Sequence, residues 1–350
     1  MKQLLSWYYK QRKAFPWRLN QDPYRIWISE VMLQQTQVNT VIPYYEKWMK
    51  KFPDIGSVAN GKTEELLKLW EGLGYYTRAH NIKKSCDFII KDNNKVFPSK
   101  YDDLIKLYGV GDYICSAILS IAFNEPFPAI DGNVKRVCSR YWGENYINSK
   151  DQKKLLEKLN KIIDKKKPGC FNQAMMDLGR EVCKPKNPCC KECPLKKSCY
   201  AYKNSKTEFF PQKIVKRKVP IYKVVVAMLL NSERKFLITK RPVNKMLGGL
   251  WELPGGKVNK SETLKDALCR EIKEELDVGI NIHKKLGAVQ HTYSHMKIIL
   301  HGYYCTIKNG KINLNESDDG KWIDLKNIKD YAFPRASHKL FSLIKEYNNG

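Results

Sequence analysis

The chain has 350 residues, enough for two domains of ordinary size. Its 43% hydrophobic and 28% charged residues are a globular balance that excludes a mostly disordered chain, and its longest clean apolar run, Val224 to Leu230, is far too short to span a bilayer. With 63 Lys+Arg against 36 Asp+Glu the formal charge is +27. Residues 1–210 (37 basic, 22 acidic) and 211–350 (26 basic, 14 acidic) are each basic on their own, which suits a polyanion touching both halves or, more plainly, a Lys-rich soluble chain.

The opening MKQLLSWYYKQRKAF has only a brief apolar stretch and no small-residue cleavage site after it, so no secretory signal is expected. Residues 1 to about 200 read as helical. In WISEVMLQQTQ (27–37), Glu30 shares a helix face with Ile26, Trp27 and Leu33. A carboxylate there is desolvated and held protonated, or else pairs with an Arg or Lys of the fold. Breaks are expected at Gly72-Leu73-Gly74, Phe97-Pro98-Ser99, Gly109-Val110-Gly111 and Pro168-Gly169. Leu104, Leu107 and Tyr108 have helical spacing, as do Ile114, Ile118 and Ile121. Between them the glycines permit a tight turn, and the amides at the next helix start can hold a phosphate, although GVG alone also suits an ordinary helix–helix turn. Eighteen residues beyond Tyr113 comes AIDGNVKR, where Asp131 precedes a Gly and a helix and also suits an N-cap.

Of 11 cysteines, Cys86, Cys115, Cys138, Cys170, Cys269 and Cys305 stand singly and read as small core residues. The other five crowd into 183–199. Without an export signal they are more in keeping with metal than with disulfides. Cys183, Cys190, Cys193 and Cys199 follow C-x6-C-x2-C-x5-C. Structural zinc usually takes two C-x2-C pairs, and here there is one, with no His in the loop. Four thiolates on one short loop can instead wrap an iron–sulfur cube. Zinc stays open as the alternative, and Cys189 leaves the register open through C-x5-C-x3-C. Lys184, Lys186, Lys191, Lys196 and Lys197 make the loop a phosphate contact or merely a solvated surface.

Residues 203–220 are basic, carry Pro211 and Pro220, and read as an interdomain linker. Strands follow at Val224–Leu230 and Phe236–Thr239 around the turn 231–234. A helix is expected over 261–276 with Ser261 as N-cap and Leu264, Leu268, Ile272 and Leu276 on one side. Met296, Ile298 and Leu300 alternate with Lys297, Ile299 and His301 as a further strand.

These runs carry a resemblance. The N-terminal 200 residues resemble the helix-hairpin-helix DNA glycosylases with the iron–sulfur loop of the endonuclease III branch. WISEVMLQQTQV, GLGYYTRAHN, AIDGNVKRV and FNQAMMDLGREVC are similar specifically to the MutY-type adenine DNA glycosylases. Tyr108 departs from the Pro usual in that hairpin. The resemblance implies that Asp131 stabilises the sugar cation, that Glu30 protonates the departing adenine at N7, and that Tyr113 and Asn133 orient these groups. It puts Gln35 and Tyr75 into the duplex where the base leaves, Gly109, Val110 and Gly111 against its backbone, and Arg18 and Gln173 in the adenine pocket. It implies a 4Fe-4S cluster on Cys183, Cys190, Cys193 and Cys199. Where the strand-cutting branch has a Lys, this chain has Tyr113, which cannot form a Schiff base, so a monofunctional glycosylase is expected.

From Leu250 the chain is similar to a Nudix box, with Gly256, Glu262, Arg270, Glu271, Ile272, Glu274, Glu275 and Val278 at its spacing and Asp277 where the box has Gly. Asp tolerates a left-handed helix end better than most residues. Glu271, Glu274 and Glu275 could hold Mg²⁺ for nucleotide hydrolysis, or the helix is kept as scaffold. In the MutY-type family this domain reads 8-oxoguanine, and Tyr293-Ser294-His295 resembles the loop that contacts it; an ordinary strand end is the plainer alternative.

The expected architecture is therefore multidomain: an all-α helix-hairpin-helix glycosylase domain (1–202) with its iron–sulfur loop (183–199), a linker (203–220) and an α/β Nudix-like domain (221–350). The expected substrate is double-stranded DNA with A:8-oxoguanine or A:G mispairs, met by a monomer in a bacterial cytoplasm, on the nucleoid and away from membranes. The rival readings are an endonuclease III-like lyase and a nucleotide diphosphohydrolase that uses its iron–sulfur module only to bind DNA.

Overall fold

The computed structural model describes residues 2–92, 96–212 and 219–344. The chain divides into two compact units, 1–60 with 81–215, and 61–80 with 216–350. The first differs from the expected 1–202 in lacking 61–80 and in running on to 215.

The helices, in chain order, are α1 (Lys2–Gln11), α2 (Pro23–Leu33), α3 (Val38–Lys51), α4 (Ile55–Asn60), α5 (Thr63–Leu69), α6 (Thr77–Asp92), α7 (Tyr101–Leu104), α8 (Asp112–Ala122), α9 (Gly132–Trp142), α10 (Ser149–Ile162), α11 (Pro168–Glu181) and α12 (Tyr200–Lys203). Among the described residues, none is long and apolar enough to cross a membrane. Helix α2 begins where Asp22 accepts from the amides of Tyr24 and Arg25 and Pro23 fills the first turn. The expected break at Pro168 falls where α11 starts, since Pro is tolerated where no intrahelical N–H is needed. Leu104 and Leu107 are buried as their spacing suggests, but α7 stops at Leu104 and Tyr108 is 50% exposed.

Helix α11 packs against α1, α8 and α9. Leu4 and Tyr8, Val134, Val137 and Cys138, and Phe171, Ala174, Met175 and Leu178 share one buried cluster with Leu155 and Leu159 of α10. Two glycines set how closely α11 approaches. A Cβ on Gly169 would stand 2.7 Å from the Ser120 carbonyl oxygen, and one on Gly179 would stand 2.5 Å from Asn133 Cβ.

Residues 203–212 are not a free linker. Arg140 donates to the carbonyls of Thr207 and Phe210, and the Gln212 amide donates to Asn145 Oδ1. The rest of the expected linker, 213–218, lies outside the described residues.

The second unit is built on one mixed sheet. Its strands are β1 (Ile221–Leu230), β2 (Phe236–Lys240), β3 (Trp251–Glu252), β4 (Gly255–Lys257), β5 (Gly279–Thr292), β6 (Lys297–Asn309) and β7 (Asp319–Ile323). The path is β3-β2-β1-β6-β5, with β4 also paired to β1 and β7 to β2. Strand β1 runs parallel to β6, from Ile221 opposite Lys297 to Leu230 opposite Thr306. The apolar run that opens this unit is continuous because both faces of β1 are covered. Val225, Ala227 and Leu229 meet Ala267, Leu268, Ile272 and Leu276 of α13 (Leu264–Leu276). Val226 and Met228 face the other way, toward Leu340 and Phe341 of α14 (Arg335–Phe341).

Helix α13 is capped by Thr263, which accepts from the Asp266 amide, and not by Ser261. It ends at Asp277 with φ +57°, and Lys273 donates to the Asp277 carboxylate at 2.6 Å. Among the single cysteines, Cys269 is exposed and Cys170 half-buried, so these two are not core residues.

The contact at Gly179 gives a test. Gly179→Ala forces a methyl into the Asn133 side chain and backbone, and the helical unit should lose roughly 1–3 kcal/mol of unfolding free energy. Denaturant titration of the full chain against wild type measures it.

Candidate active site

Helix α2 is buried from Ile26 to Met32, and Glu30, 5% exposed, lies within that stretch. The Tyr113 hydroxyl, one residue into α8, donates to Glu30 Oε2 at 2.5 Å and lies 3.4 Å from Met176 Sδ of α11. Burial raises the Glu30 carboxyl to about 7 from its ordinary 4.5. The Asp131 charge pushes the same way, while the Tyr113 hydrogen bond and the Arg18 charge oppose it. The phenol of Tyr113 is pushed well above its ordinary range, first by burial and then by the charges of Glu30 and Asp131.

Asp131 is the N-cap of α9 and accepts from the Val134 amide at 2.7 Å. Its other oxygen accepts from Asn133 Nδ2 at 2.7 Å. Asn133 Oδ1 in turn accepts from Arg136 Nη2 at 2.7 Å, and Arg136 also donates to the carbonyls of Gly179 and Cys183. Glu30, Tyr113, Asp131 and Asn133, expected from the sequence, thus form one cluster on α2, α8 and α9.

Arg18 and Gln173 both line a cavity of about 620 Å³ with Tyr8, Tyr9, Arg12 and Lys167. Glu30, Tyr113 and Asp131 are not among its lining residues. Arg18 is the link between cavity and cluster, because its charge acts on Glu30. Its guanidinium is held by a bidentate pair with Asp177, at 2.7 and 3.0 Å, and lies over the Phe15 ring. Tyr8 donates its hydroxyl to Gln173 Oε1, which leaves the Gln173 NH₂ to serve as a donor. Sequence reasoning missed Arg12 and Asp177. Arg12 sits in a basic stretch just after α1, where nothing singled it out, and Asp177 lies inside FNQAMMDLGREVC.

The glycine hairpin forms as expected. Gly109 has φ +71° and closes on Asn81, while Gly111 is the N-cap of α8. Val110 is buried, and the Tyr108 amide donates to Ser85 Oγ at 2.8 Å, so the turn is pinned without the usual Pro. Gln35, φ +57°, follows α2 in the first unit. Tyr75 belongs to the second unit, with φ +49° and 43% exposure.

Cys183, Cys190, Cys193 and Cys199 line one shared cavity, and Cys189 is not among its lining residues. Among the described residues, no three His, Cys, Asp or Glu are placed to hold a single metal ion. Four thiols lining one cavity are a donor set of the kind that an iron–sulfur cluster takes. Arg140 closes the loop from beneath, donating to the carbonyls of Lys184 and Pro185 and lying 3.4 Å from Cys183 Sγ.

In the second unit Tyr293, Ser294 and His295 form the tip between β5 and β6. The Tyr293 amide donates to the Met296 carbonyl, Tyr293 is half-buried, and Ser294 and His295 are exposed. Every carboxylate of the neighbouring box has a protein partner. Arg270 donates to Glu262, Glu271 and Glu274, and the Gly255 amide donates to Glu275.

Comparison with known proteins finds one family in the helical part of the chain and another in the C-terminal part. The family described as HhH-GPD superfamily base excision DNA repair protein matches residues 28–165, and the NUDIX domain family matches 225–343. An adenine DNA glycosylase of Buchnera aphidicola subsp. Schizaphis graminum is 36% identical over 98% of this chain and 97% of its own. The human adenine DNA glycosylase is 30% identical over 99% of this chain and 74% of its own. Among solved structures, a thermostable thymine-DNA glycosylase (28% identity, TM-score 0.54) covers 58% of this chain and 94% of its own. A trapped endonuclease III–DNA covalent intermediate (27% identity, TM-score 0.51) covers 58% of this chain and 95% of its own.

The Tyr113–Glu30 bond has a measurable consequence. It favours the ionised carboxylate, so Tyr113→Phe should move the Glu30 midpoint upward from about 7 by up to about one unit. Carbon NMR of the labelled glutamate across pH reads the shift, and a downward move would contradict the geometry.

Proposed function

Because the chain belongs to the adenine DNA glycosylases, within the HhH-GPD superfamily of base excision DNA repair proteins, we propose that it removes adenine mispaired with 8-oxoguanine or guanine from duplex DNA by hydrolysing the N-glycosidic bond. The observation that carries this reading is a buried carboxyl that titrates near neutrality, Glu30, coupled to a second carboxylate, Asp131, whose two oxygens both accept hydrogen bonds.

Adenine is a poor leaving group as an anion, so it must depart protonated. The deoxyribose then develops oxocarbenium character and needs negative charge nearby. Two carboxyl groups in opposed protonation states meet both needs. Glu30 gives its proton to N7, and ionised Asp131 stabilises C1′. Tyr113 and Asn133 fix the two groups. The enzyme first extrudes the base, at a cost of a few kcal/mol. Arg18, Arg12 and the Gln173 amide, which line one cavity, then offer donors to its edge.

Gln35 and Tyr75 enter the duplex where the base leaves, and the amides around Gly109, Val110 and Gly111 hold a phosphate. Residues 1–202 carry the catalytic site, and 221–350 read the oxidised guanine through Tyr293, Ser294 and His295. Ser294 and His295 offer hydrogen bonds to a base edge, and Tyr293 a stacking face. Cys183, Cys190, Cys193 and Cys199 hold a 4Fe-4S cluster, which when bound cross-links the lysine-rich loop. The enzyme works as a monomer in the bacterial cytoplasm, on the nucleoid. Because Tyr113 cannot form a Schiff base, no strand cleavage accompanies excision; borohydride should trap no stoichiometric DNA–protein adduct.

The sign of the pH dependence follows from Glu30. Its acid form is depleted above about pH 7, so single-turnover excision should fall roughly tenfold per unit well above that pH, the alkaline limb of a bell. Glu30→Gln and Asp131→Asn should each slow adenine release by about 10²-fold or more. At pH 8 Glu30→Gln should unfold at a higher temperature than wild type, which separates lost chemistry from lost structure. Either variant excising at the wild-type rate would sink the assignment.

A further inference from the structure

Residues 61–80 leave the helical unit after Asn60 and return to it at Asn81, and in between they fold with the C-terminal unit. Glu71 is the hub of that attachment. Its Oε1 accepts from the Phe333 amide at 2.7 Å and lies 2.6 Å from His338 Nε2. Its Oε2 accepts from Lys68 Nζ at 2.7 Å, and the same ammonium donates to the Tyr331 carbonyl at 2.8 Å. Although burial acts to raise it, these donors hold the Glu71 carboxyl below its ordinary range. Two further contacts flank the hub. His80 Nε2 is 2.9 Å from the Gly248 carbonyl oxygen, and Lys240 pairs with Glu64 at 2.8 Å.

The turn held between these anchors is itself stiff. Arg78 donates to the carbonyls of Leu73 and Gly74 and lies over the rings of Trp70 and Tyr75, at 5.3 and 5.6 Å. Tyr75 is at the exposed end of the turn with a left-handed backbone. The segment 331–338 thus grips, through one carboxylate, the turn that presents Tyr75.

We propose that Glu71 is a positioning residue through which the C-terminal unit sets the Tyr75 turn, and that preference for 8-oxoguanine over guanine opposite adenine depends on this tie. The inference rests on the reading above, in which Tyr75 enters the duplex and the C-terminal unit reads the oxidised base. A purely stabilising role would affect both mispairs alike.

The test uses the full chain and single-turnover adenine release from two duplexes, A:8-oxoguanine and A:G. Glu71→Gln should lower the rate opposite 8-oxoguanine about tenfold while the rate opposite guanine stays within about twofold. His338→Ala should behave likewise, and His338→Gln, which keeps a side-chain N–H donor, should recover most of the preference. Equal losses on both duplexes, or an unchanged ratio in Glu71→Gln and His338→Ala beside a wild type that prefers 8-oxoguanine, would overturn the proposal. A wild type without any preference would overturn the underlying reading of the C-terminal unit, and this inference with it.

Discussion

Glu30 sits on a helix that is buried on all sides around it, and keeping a carboxylate there is costly. With its midpoint near 7 against an ordinary 4.5, the folded chain retains between those pH values a proton that the unfolded chain has lost. Stability therefore falls as pH rises through that window, by about 3 kcal/mol once pH exceeds 7. Against a total of roughly 5–15 kcal/mol for a domain, that is too large a sacrifice to be made for packing, which Gln or Leu would do as well. The neighbours limit the cost without removing it, since the Tyr113 hydroxyl and the Arg18 guanidinium both favour the charge. A site that needs a proton donor near neutrality requires this balance between an apolar helix and two polar restraints.

The second carboxylate is held by different means. Asp131 spends one oxygen on capping α9 and the other on Asn133. Capping and catalysis are often weighed as competing explanations of an Asp before a helix, but here the cap is what fixes the side chain. Asn133 is fixed by Arg136, which reaches the carbonyl of Cys183, and Arg140, one turn on, grips the same loop at Lys184 and Pro185. One face of α9 thus ties the start of the helix to the cysteine loop. Gly179 lets α11 lie against Asn133 from the other side. The arrangement is preorganised from both directions, at the level of backbone carbonyls and not of charge alone.

Much of this was legible in the residues. Glu30, Tyr113, Asp131 and Asn133 lie in short runs whose local pattern fixes each one's element, and the structure assembles them. Arg18 and Gln173 share a cavity as the resemblance implied. What escaped was long-range. Asp177 is recognisable only once Arg18, 159 positions away in sequence, lies against it. Arg12 is one of several basic residues in the opening stretch and acquires meaning only from the cavity it lines. The grouping of 61–80 with the C-terminal unit had no local signature, because Tyr331, Phe333 and His338, which meet Lys68 and Glu71, lie 262 to 267 positions away. The boundary error at α13 has a local cause: Ser261 and Thr263 are equally good caps two residues apart.

The box in the C-terminal unit shows how a complete motif can be occupied by its own fold. Arg270 has five N–H donors, and it uses them on Glu262, Glu271, Glu274 and the Lys257 carbonyl. Those bonds join the loop before α13, the helix itself and β4. Glu275 completes the set from the helix by accepting from Gly255, whose φ of +140° brings it against Val225 of β1. The carboxylates thus pin the loop and β4 to α13, beside the central strand of the sheet. Selection for that framework alone would retain Gly256, Glu262, Arg270 and Glu275 at their spacing, with Asp277 able to end the helix in the left-handed conformation that the Gly of the usual box supplies. A chain needs no hydrolytic turnover to keep this motif, because the motif is also the set of bonds that shapes the sheet bearing Tyr293, Ser294 and His295 at its β5–β6 tip.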